Sequence, residues 1–460
     1  MDKTTEKLSA YAASISYADL TPQAVHAAKR SLVDSVGCAY WARDAEPVKA
    51  VCRLVSRVSS SEPATLIGTQ IRTSPDLAAF ANGLMVRYLD FSDDYFGDTE
   101  GDGSPHPSDT LGGVLAATES AGGGGKDLLL GIALAYEVCG QMRRLKGWDY
   151  GELTAIGASL GAGKALGLTQ EQLANAVSIA VVSNLCLFQT RIGEISHWKG
   201  CSGPNGARNG VFAALLAREG ITGPPEPFEG KSGLMKQMAV PFEVGALGGR
   251  GVPFKVEGTC FKYLPIMYSL QLPVLTALEL RSKLRVEDIE SITVYLEKRS
   301  ATNESYSANR CDPTTRETAD HSGPYLIAAA LVDGEVADRT LTPECFHDPA
   351  IVSLAGKIRT AEDPEYTRAA PSNVHCRIEA TLTSGKRTSA HQVNPKGHPA
   401  NPMSDKDIED KFLNQVEPSM TSRRARELLD QLWNVDRLDS LGPLFRLMLV
   451  PDRSSETSNG

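Results

Sequence analysis

No two of the nine cysteines stand close enough to form a CxxC pair; they lie at 38, 52, 139, 186, 201, 260, 311, 345 and 376. An odd count in a long chain speaks against a disulfide framework. The missing pairs speak against zinc or an iron–sulfur cluster, which need closely spaced thiolates. The cysteines are read as reduced, mostly buried, small apolar residues. A basic surplus is missing too, since 47 Lys and Arg face 56 Asp and Glu, for a net charge of -9. That excludes general nucleic-acid binding and docking on anionic membranes, but not a locally basic pocket for a small anion. No window reaches about 18 uninterrupted apolar residues, so no membrane span is expected. The start, MDKTTEKLSAYAAS, lacks the basic and apolar regions of a signal peptide, and a cytoplasmic protein is expected. No HExxH, GxSxG or GxGxxG context stands up, which removes support for a zinc protease, a serine hydrolase or a dinucleotide enzyme. The glycines at 122–125 lack the strand, spacing and Lys-Ser/Thr of a phosphate-binding loop and are read as a plain loop.

What is present is an ordinary globular composition, 42% apolar and 22% charged over 460 residues, with room for roughly two to three domains. Helical signals dominate to about residue 245. Thr21-Pro22 reads as a cap followed by proline at the first helical position, and Thr169 with Gln172 approaches a capping box. Ala- and Leu-rich segments near 75–88, 110–121, 126–142, 154–167, 170–184 and 207–219 imply tightly packed helices. Beyond residue 262 the pattern changes. ITVYL (292–296) reads as a strand, and 376–393 as a hairpin turning at Ser384-Gly385-Lys386. The expected fold is mostly α: a large helical bundle (1–260), an inserted smaller α+β lid domain (261–396), and a segment (397–460) that returns to the bundle.

Four clusters carry chemistry. The first runs from Leu89 to Gly113 and gathers Asp90, Asp93, Asp94 and His106 around a glycine-rich loop. Ser108 or Asp109 can cap a helix opening at Thr110, placing His106 before a helix N-terminus that favours anions. Imidazole with carboxylates suits proton transfer near neutral pH. Composition alone equally allows a solvated loop with a turn histidine. The second cluster holds Lys199 and leads to Arg208; a lysine facing a cleft and a surface lysine beside a packed tryptophan both fit. The third, FKYLP (261–265), offers Lys262 as a carboxylate clamp or as a snorkelling side chain. The fourth, TTRETADHSGPY (314–325), contains His321, read as a buried, hydrogen-bonded histidine near the start of a helix. His26, His347, His375, His391 and His398 show no partner pattern and are read as structural.

Taken together, LVDSVGCAYWA (32–42), YLDFSDDY (88–95), HPSDTLGGVLAA (106–117), GASLGAGKALGLT (157–169), the run 198–230, FKYLP (261–265), RETADHSGPYLIAAALVDG (316–334) and GHPANPMS (397–404) resemble the MmgE/PrpD family. That family includes 2-methylcitrate dehydratase, cis-aconitate decarboxylase and iminodisuccinate epimerase. The resemblance implies a cleft between a large helical domain and a smaller α/β domain, a homodimer, and a reaction without cofactor or metal. It puts the family's catalytic aspartate on Asp90, its histidine on His106 and its two lysines on Lys199 and Lys262. Asp94, Ser108, Tyr150, Arg208 and Tyr268 are weaker candidates for substrate binding. The chain also departs from the family. Asp149 and Tyr150 stand where members carry a histidine after the tryptophan at 148, and 263–271 holds none of the histidines that commonly follow FK.

The resulting expectation is a lyase acting on a small polycarboxylate, first of all by dehydration of the 2-methylcitrate type. Decarboxylation of a cis-aconitate-like acid and epimerisation of an amino-dicarboxylate are the alternatives on the same scaffold. A paralogue that binds a carboxylate without turning it over is the reading from a different class, and joint retention of Asp90, His106, Lys199 and Lys262 speaks against it.

Overall fold

Helices form where the sequence places caps and small apolar repeats. Thr21 accepts from the Ala24 amide at the head of helix Pro22–Ala42, and Thr169 with Gln172 closes a full capping box on helix Gln170–Ser183. The computed structural model describes residues 1–95, 105–141, 148–237, 243–370 and 372–450. Helices dominate it, with two small sheets. Glycines set how closely the helices approach. A Cβ on Gly206 of helix Trp198–Arg218 would sit 2.0 Å from the Gly151 carbonyl, and one on Gly210 would sit 2.2 Å from that of Ala155. The helix Gly151–Ala165 therefore lies directly against it, backbone to backbone.

One apolar core joins helices Pro22–Ala42, Pro75–Arg87, Leu111–Ser120 and Gly125–Gln141 to the C-terminal helices Asp405–Val416, Ser422–Trp433 and Gly442–Met448. Ile408, Phe412 and Val416 are fully buried in it at helical spacing. Lys411, on the same helix, reaches 2.6 Å to Asp34 and 2.8 Å to the Phe91 carbonyl. The tail thus braces the segment that carries Asp90.

A second core, from Leu264 to Ala390, surrounds a four-stranded sheet. A short hairpin earlier in the chain, β1 (Ala64–Thr65) with β2 (Arg72–Thr73), is separate. The larger sheet contains β3 (Ile289–Leu296), β4 (Ile358–Glu362), β5 (His375–Leu382) and β6 (Arg387–Val393), in the order β4-β3-β5-β6. β3 runs parallel to β4 and antiparallel to β5. Ile292, Val294, Ile378 and Ala380 point to the buried face, which the helix Tyr268–Arg281 covers. The hairpin read at 376–393 is present, with Gly385 at φ 82° in its turn. The edge strand β4 is not announced by the sequence: its five residues pair only with β3, and their Arg, Thr and Glu give no apolar alternation. All nine cysteines are free thiols, six of them buried. Among the described residues, no helix is long and apolar enough to cross a membrane.

Candidate active site

The site is built on a turn. Helix Pro75–Arg87 ends just before Asp90, which adopts φ 54° while its amide bonds the Arg87 carbonyl. Aspartate tolerates this left-handed conformation better than most side chains. The reversal sends the carboxylate back towards Arg87. Two residues past Ser92, Asp94 and Cys260 exchange both backbone hydrogen bonds at 2.8 Å. That bridge brings the 260–262 segment alongside, although it is distant in sequence.

Three cations converge on Asp90. Lys262 Nζ lies 2.9 Å from Asp90 Oδ1 and 2.9 Å from the Asp90 carbonyl. Arg87 also pairs with Oδ1, and Lys199 Nζ stands 3.7 Å from Oδ2. All four side chains are at most 1% exposed. Burial alone would raise the Asp90 pKa, but Arg87, Lys199 and Lys262 outweigh it and hold the carboxyl well below the usual range. Asp90 is therefore ionised, and its Oδ2 accepts no hydrogen bond from any described residue. An ionised oxygen left open among cations is an acceptor site for a ligand.

Lys199 occupies the first turn of helix Trp198–Arg218, which opens earlier than the segment expected at 207–219. It also pairs with Asp320 at 3.2 Å, and His321 Nδ1 bonds the same carboxylate while lying 3.9 Å from Asp90 Oδ2. Burial lowers the Lys199 pKa, with Asp320 and Asp90 opposing. Burial, then Lys199, pushes His321 down to about 4, so its ring is neutral at pH 7.

His106 precedes a short 3-10 turn, Pro107–Thr110, that leads into helix Leu111–Ser120. Neither Ser108 nor Asp109 caps that helix through its side chain, a correction to the expected capping; the 3-10 turn inserts itself first. The Ser108 amide instead donates to Asp93 Oδ1 at 3.1 Å. The Asp93 carbonyl accepts from His106 Nδ1 at 2.6 Å, which assigns the proton to Nδ1. Nε2 is then the basic atom; it accepts from Arg87 Nη2 at 3.2 Å and lies 3.9 Å from Asp94 Oδ2. Burial, Arg87 and Lys262 together keep the His106 pKa well below its ordinary value. Beneath it, burial raises both Asp93 and Asp109 to about 7.

Arg87 joins these halves, because it contacts Asp90, His106 and the Tyr150 hydroxyl, the last at 3.0 Å. Sequence reasoning missed Arg87 and Asp320 and set His321 aside. Arg87 closes a helix with no exposed residue, although arginine is mostly a surface residue, so only burial gives it away. His321 is hydrogen-bonded near a helix start, as read, but it is only partly buried, and it also belongs to the cluster. The segment 96–105, the glycine-rich loop of the first cluster, lies outside the described residues except for Pro105.

The chain that carries this arrangement, two ionised carboxylates among three buried cations with a neutral imidazole beside them, matches two models of one protein family. Residues 6–246 match the MmgE/PrpD N-terminal domain and residues 265–435 the MmgE/PrpD C-terminal domain. The chain belongs to the MmgE/PrpD family. It is 25% identical to the cis-aconitate decarboxylase of Homo sapiens, over 96% of this chain and 93% of that protein. It is 27% identical to the 2-methylcitrate dehydratase of Cupriavidus necator, over 81% of each. A protein of Yarrowia lipolytica named 2-methylcitrate dehydratase, mitochondrial, is 28% identical over 72% of this chain and 68% of its own. These relatives are enzymes.

As an MmgE/PrpD chain it places its departures from the family informatively. Tyr150 lies edge-on to the His106 ring at 5.1 Å and under Arg191 at 4.6 Å, so it props the histidine and Arg87. Asp149 is neutralised by Arg191 at 2.7 Å. In the stretch without histidine, the Gln271 side chain holds the Tyr263 and Leu264 amides and the Leu264 and Ile266 carbonyls, a purely architectural task. Tyr268 is buried with Cys260 and Asp94 as neighbours. Arg208 is not brought into the cluster: it is partly exposed and pairs with Asp76 at 3.4 Å. Among the described residues, only Asp90, Asp320 and His321 cluster tightly enough to hold a metal ion, within 4.8 Å. Their two carboxylates are already matched by Lys199, Lys262 and Arg87, which leaves little electrostatic demand for a further cation.

Proposed function

We propose that this MmgE/PrpD chain is a cofactor- and metal-independent lyase that removes water from a small polycarboxylate of the 2-methylcitrate type. The observation that carries the reading is the charge count around Asp90. Arg87, Lys199 and Lys262 face two carboxylates held ionised, Asp90 and Asp320; Asp109, 3.9 Å from Arg87, is pushed up to about 7 by burial and is only partly charged at neutral pH, so a net positive charge is left for an anionic substrate. As a proton leaves the carbon beside a substrate carboxylate, negative charge builds on that carboxylate, and fixed lysines in a dry site stabilise it. His106, neutral with Nε2 unprotonated, is the base in this scheme. Asp90, kept ionised, orients the lysines and accepts a substrate hydroxyl at Oδ2. Lys199, with its lowered pKa, donates the proton that lets the departing hydroxyl leave as water. The C–H electron pair becomes the new C=C bond as the C–O bond breaks.

A second reading is decarboxylation of a cis-aconitate-like acid. It is favoured by the match to the human cis-aconitate decarboxylase, which spans 96% of the chain against 81% for the dehydratase of Cupriavidus necator. Incubation of the purified protein with 2-methylcitrate, citrate, cis-aconitate and iminodisuccinate in deuterated water, followed by NMR, separates these reactions. Alkene signals from 2-methylcitrate are expected. Loss of carbon dioxide from cis-aconitate instead selects the second reading, and deuterium exchange without net change selects epimerisation. Binding without any of these changes would sink the enzyme reading. Full activity after exhaustive chelation is the outcome expected of metal independence.

We also propose a cytoplasmic homodimer. Val182, Leu185, Leu187, Ile192 and Trp198 are exposed along one stretch of chain, and clustered exposed apolar residues are a common mark of an association surface. Light scattering giving a monomer mass at micromolar concentration would refute the dimer.

A further inference from the structure

Every other buried lysine or arginine among the described residues has a counter-ion. Arg87 has Asp90, Arg191 has Asp149, Lys199 has Asp320, Lys262 has Asp90 and Lys411 has Asp34. Arg310 is the exception among the described residues. It is 2% exposed, yet its Nε and Nη1 find no hydrogen-bond partner. Glu304 and Asp320 attract it across space without forming an ion pair. A guanidinium cannot shed its proton, so burial leaves a full charge with unsatisfied donors. Such a group is costly to the free protein and is retained where something anionic completes it.

Its position ties it to the site. Arg310 closes the turn Ala308–Arg310, and its carbonyl accepts from the Ser322 hydroxyl. Ser322 caps helix Gly323–Asp333 and follows Asp320 and His321, the pair that meets Lys199 and Asp90. The backbone of Arg310 is thus clamped to a segment of the sheet-bearing half that enters the cluster. Asp320 is the common neighbour, paired with Lys199 on one side and attracting Arg310 on the other.

We propose that Arg310 is the anchor for a second carboxylate of the substrate, binding it through its planar two-donor edge while Lys199 and Lys262 hold the carboxylate next to the reacting carbon. This rests on the polycarboxylate reading above and adds a length requirement to it. Ligands with three carboxylates engage both ends, and short dicarboxylates engage one. A fork of two N–H groups suits a carboxylate better than a point charge does, so lysine is a poor replacement.

The test measures binding of propane-1,2,3-tricarboxylate and of succinate to the full-length wild type, Arg310→Met and Arg310→Lys by calorimetry, with the Tm of each ligand-free protein. Wild type is expected to prefer the tricarboxylate at least tenfold. Arg310→Met is expected to lose roughly tenfold or more of the tricarboxylate affinity, the scale of one charge-assisted bidentate contact, while succinate affinity stays within about threefold. Its ligand-free Tm should equal or exceed that of wild type, because an apolar chain replaces an unpaired buried charge. Arg310→Lys should lose at least about fivefold of the tricarboxylate affinity, and it decides the matter if Arg310→Met does not fold. Unchanged tricarboxylate affinity in the folded variant overturns the Arg310 assignment and leaves the site reading standing. A lowered Tm with equal loss of both ligands also overturns it, since that is the behaviour of a structural arginine. A wild-type protein that binds neither probe overturns both.

Discussion

Lys262 Nζ contacts Asp90 twice, at 2.9 Å to Oδ1 and 2.9 Å to the main-chain carbonyl. The residues are 172 positions apart, and both are essentially excluded from solvent. The double contact fixes the lysine to the left-handed turn itself as well as to its carboxylate. Replacement by methionine keeps the length and removes the charge. Lys262→Met is expected to lower kcat by about 10²-fold or more and to destabilise the fold by about 3 kcal/mol, because part of a buried ion network loses its partner. Steady-state kinetics with urea unfolding checks both numbers, and unchanged kcat would remove Lys262 from the chemistry.

His106→Ala removes the proposed base without touching the lysines. Activity should fall by about 10²–10⁴-fold, the usual worth of positioned acid–base help, while binding of a non-reacting tricarboxylate persists. A variant that keeps full kcat would assign the proton transfer elsewhere.

The pH profile follows from the same ring. Burial, Arg87 and Lys262 keep His106 neutral far below the ordinary histidine range. The acid limb of kcat/KM should therefore lie well below the pH 6.5 of a free imidazole. A limb at pH 6.5 or above would contradict the neutral-base assignment.

Asp109 makes the fold itself pH-sensitive. Burial raises its pKa from 3.8 to about 7, so the folded state holds a proton that the unfolded chain releases. Its contribution is fully present below pH 3.8 and is lost as pH rises through about 7. Asp109→Asn should therefore be near neutral at pH 4 and increasingly stabilising up to pH 8, by an amount on the order of 4 kcal/mol. Thermal melts across that range decide it, and a flat difference between the two proteins would show that Asp109 does not titrate there. His321 runs the other way: its folded pKa of about 4 lies below the ordinary histidine value of 6.5, so its contribution is present above pH 6.5 and is lost as pH falls towards 4.

Gly397 links the end of the small sheet to the site. It sits at φ 93°, and a Cβ there would lie 1.9 Å from the Phe261 carbonyl, next to Lys262. Gly397→Ala is expected to cost about 3 kcal/mol of stability and to lower activity by displacing Lys262. Urea unfolding and kcat together test this. An alanine variant with native stability would mean that the 261–262 strand can move without harm.

The sequence by itself determined the elements and most of the reacting groups. Caps at Thr21 and Thr169, small-residue repeats in the helices and the Ser384-Gly385-Lys386 turn are local signals, and the structure follows them. Asp90, His106, Lys199 and Lys262 were legible because their short motifs are continuous in the chain, and the structure gathers them around one turn. What only the tertiary structure decided is what those groups are charged with and what stands between them. The Asp94–Cys260 bridge brings Lys262 to Asp90 across a gap that no periodicity spans. Arg87 and Arg310 carry no signal in the sequence, and Arg208 reads as a weaker site candidate, until packing buries the first two and leaves the third outside. The edge strand β4 exists only because β3 offers it a partner. Local propensity is written in neighbouring residues. Burial, and with it every shifted pKa here, depends on atoms contributed from the far end of the chain.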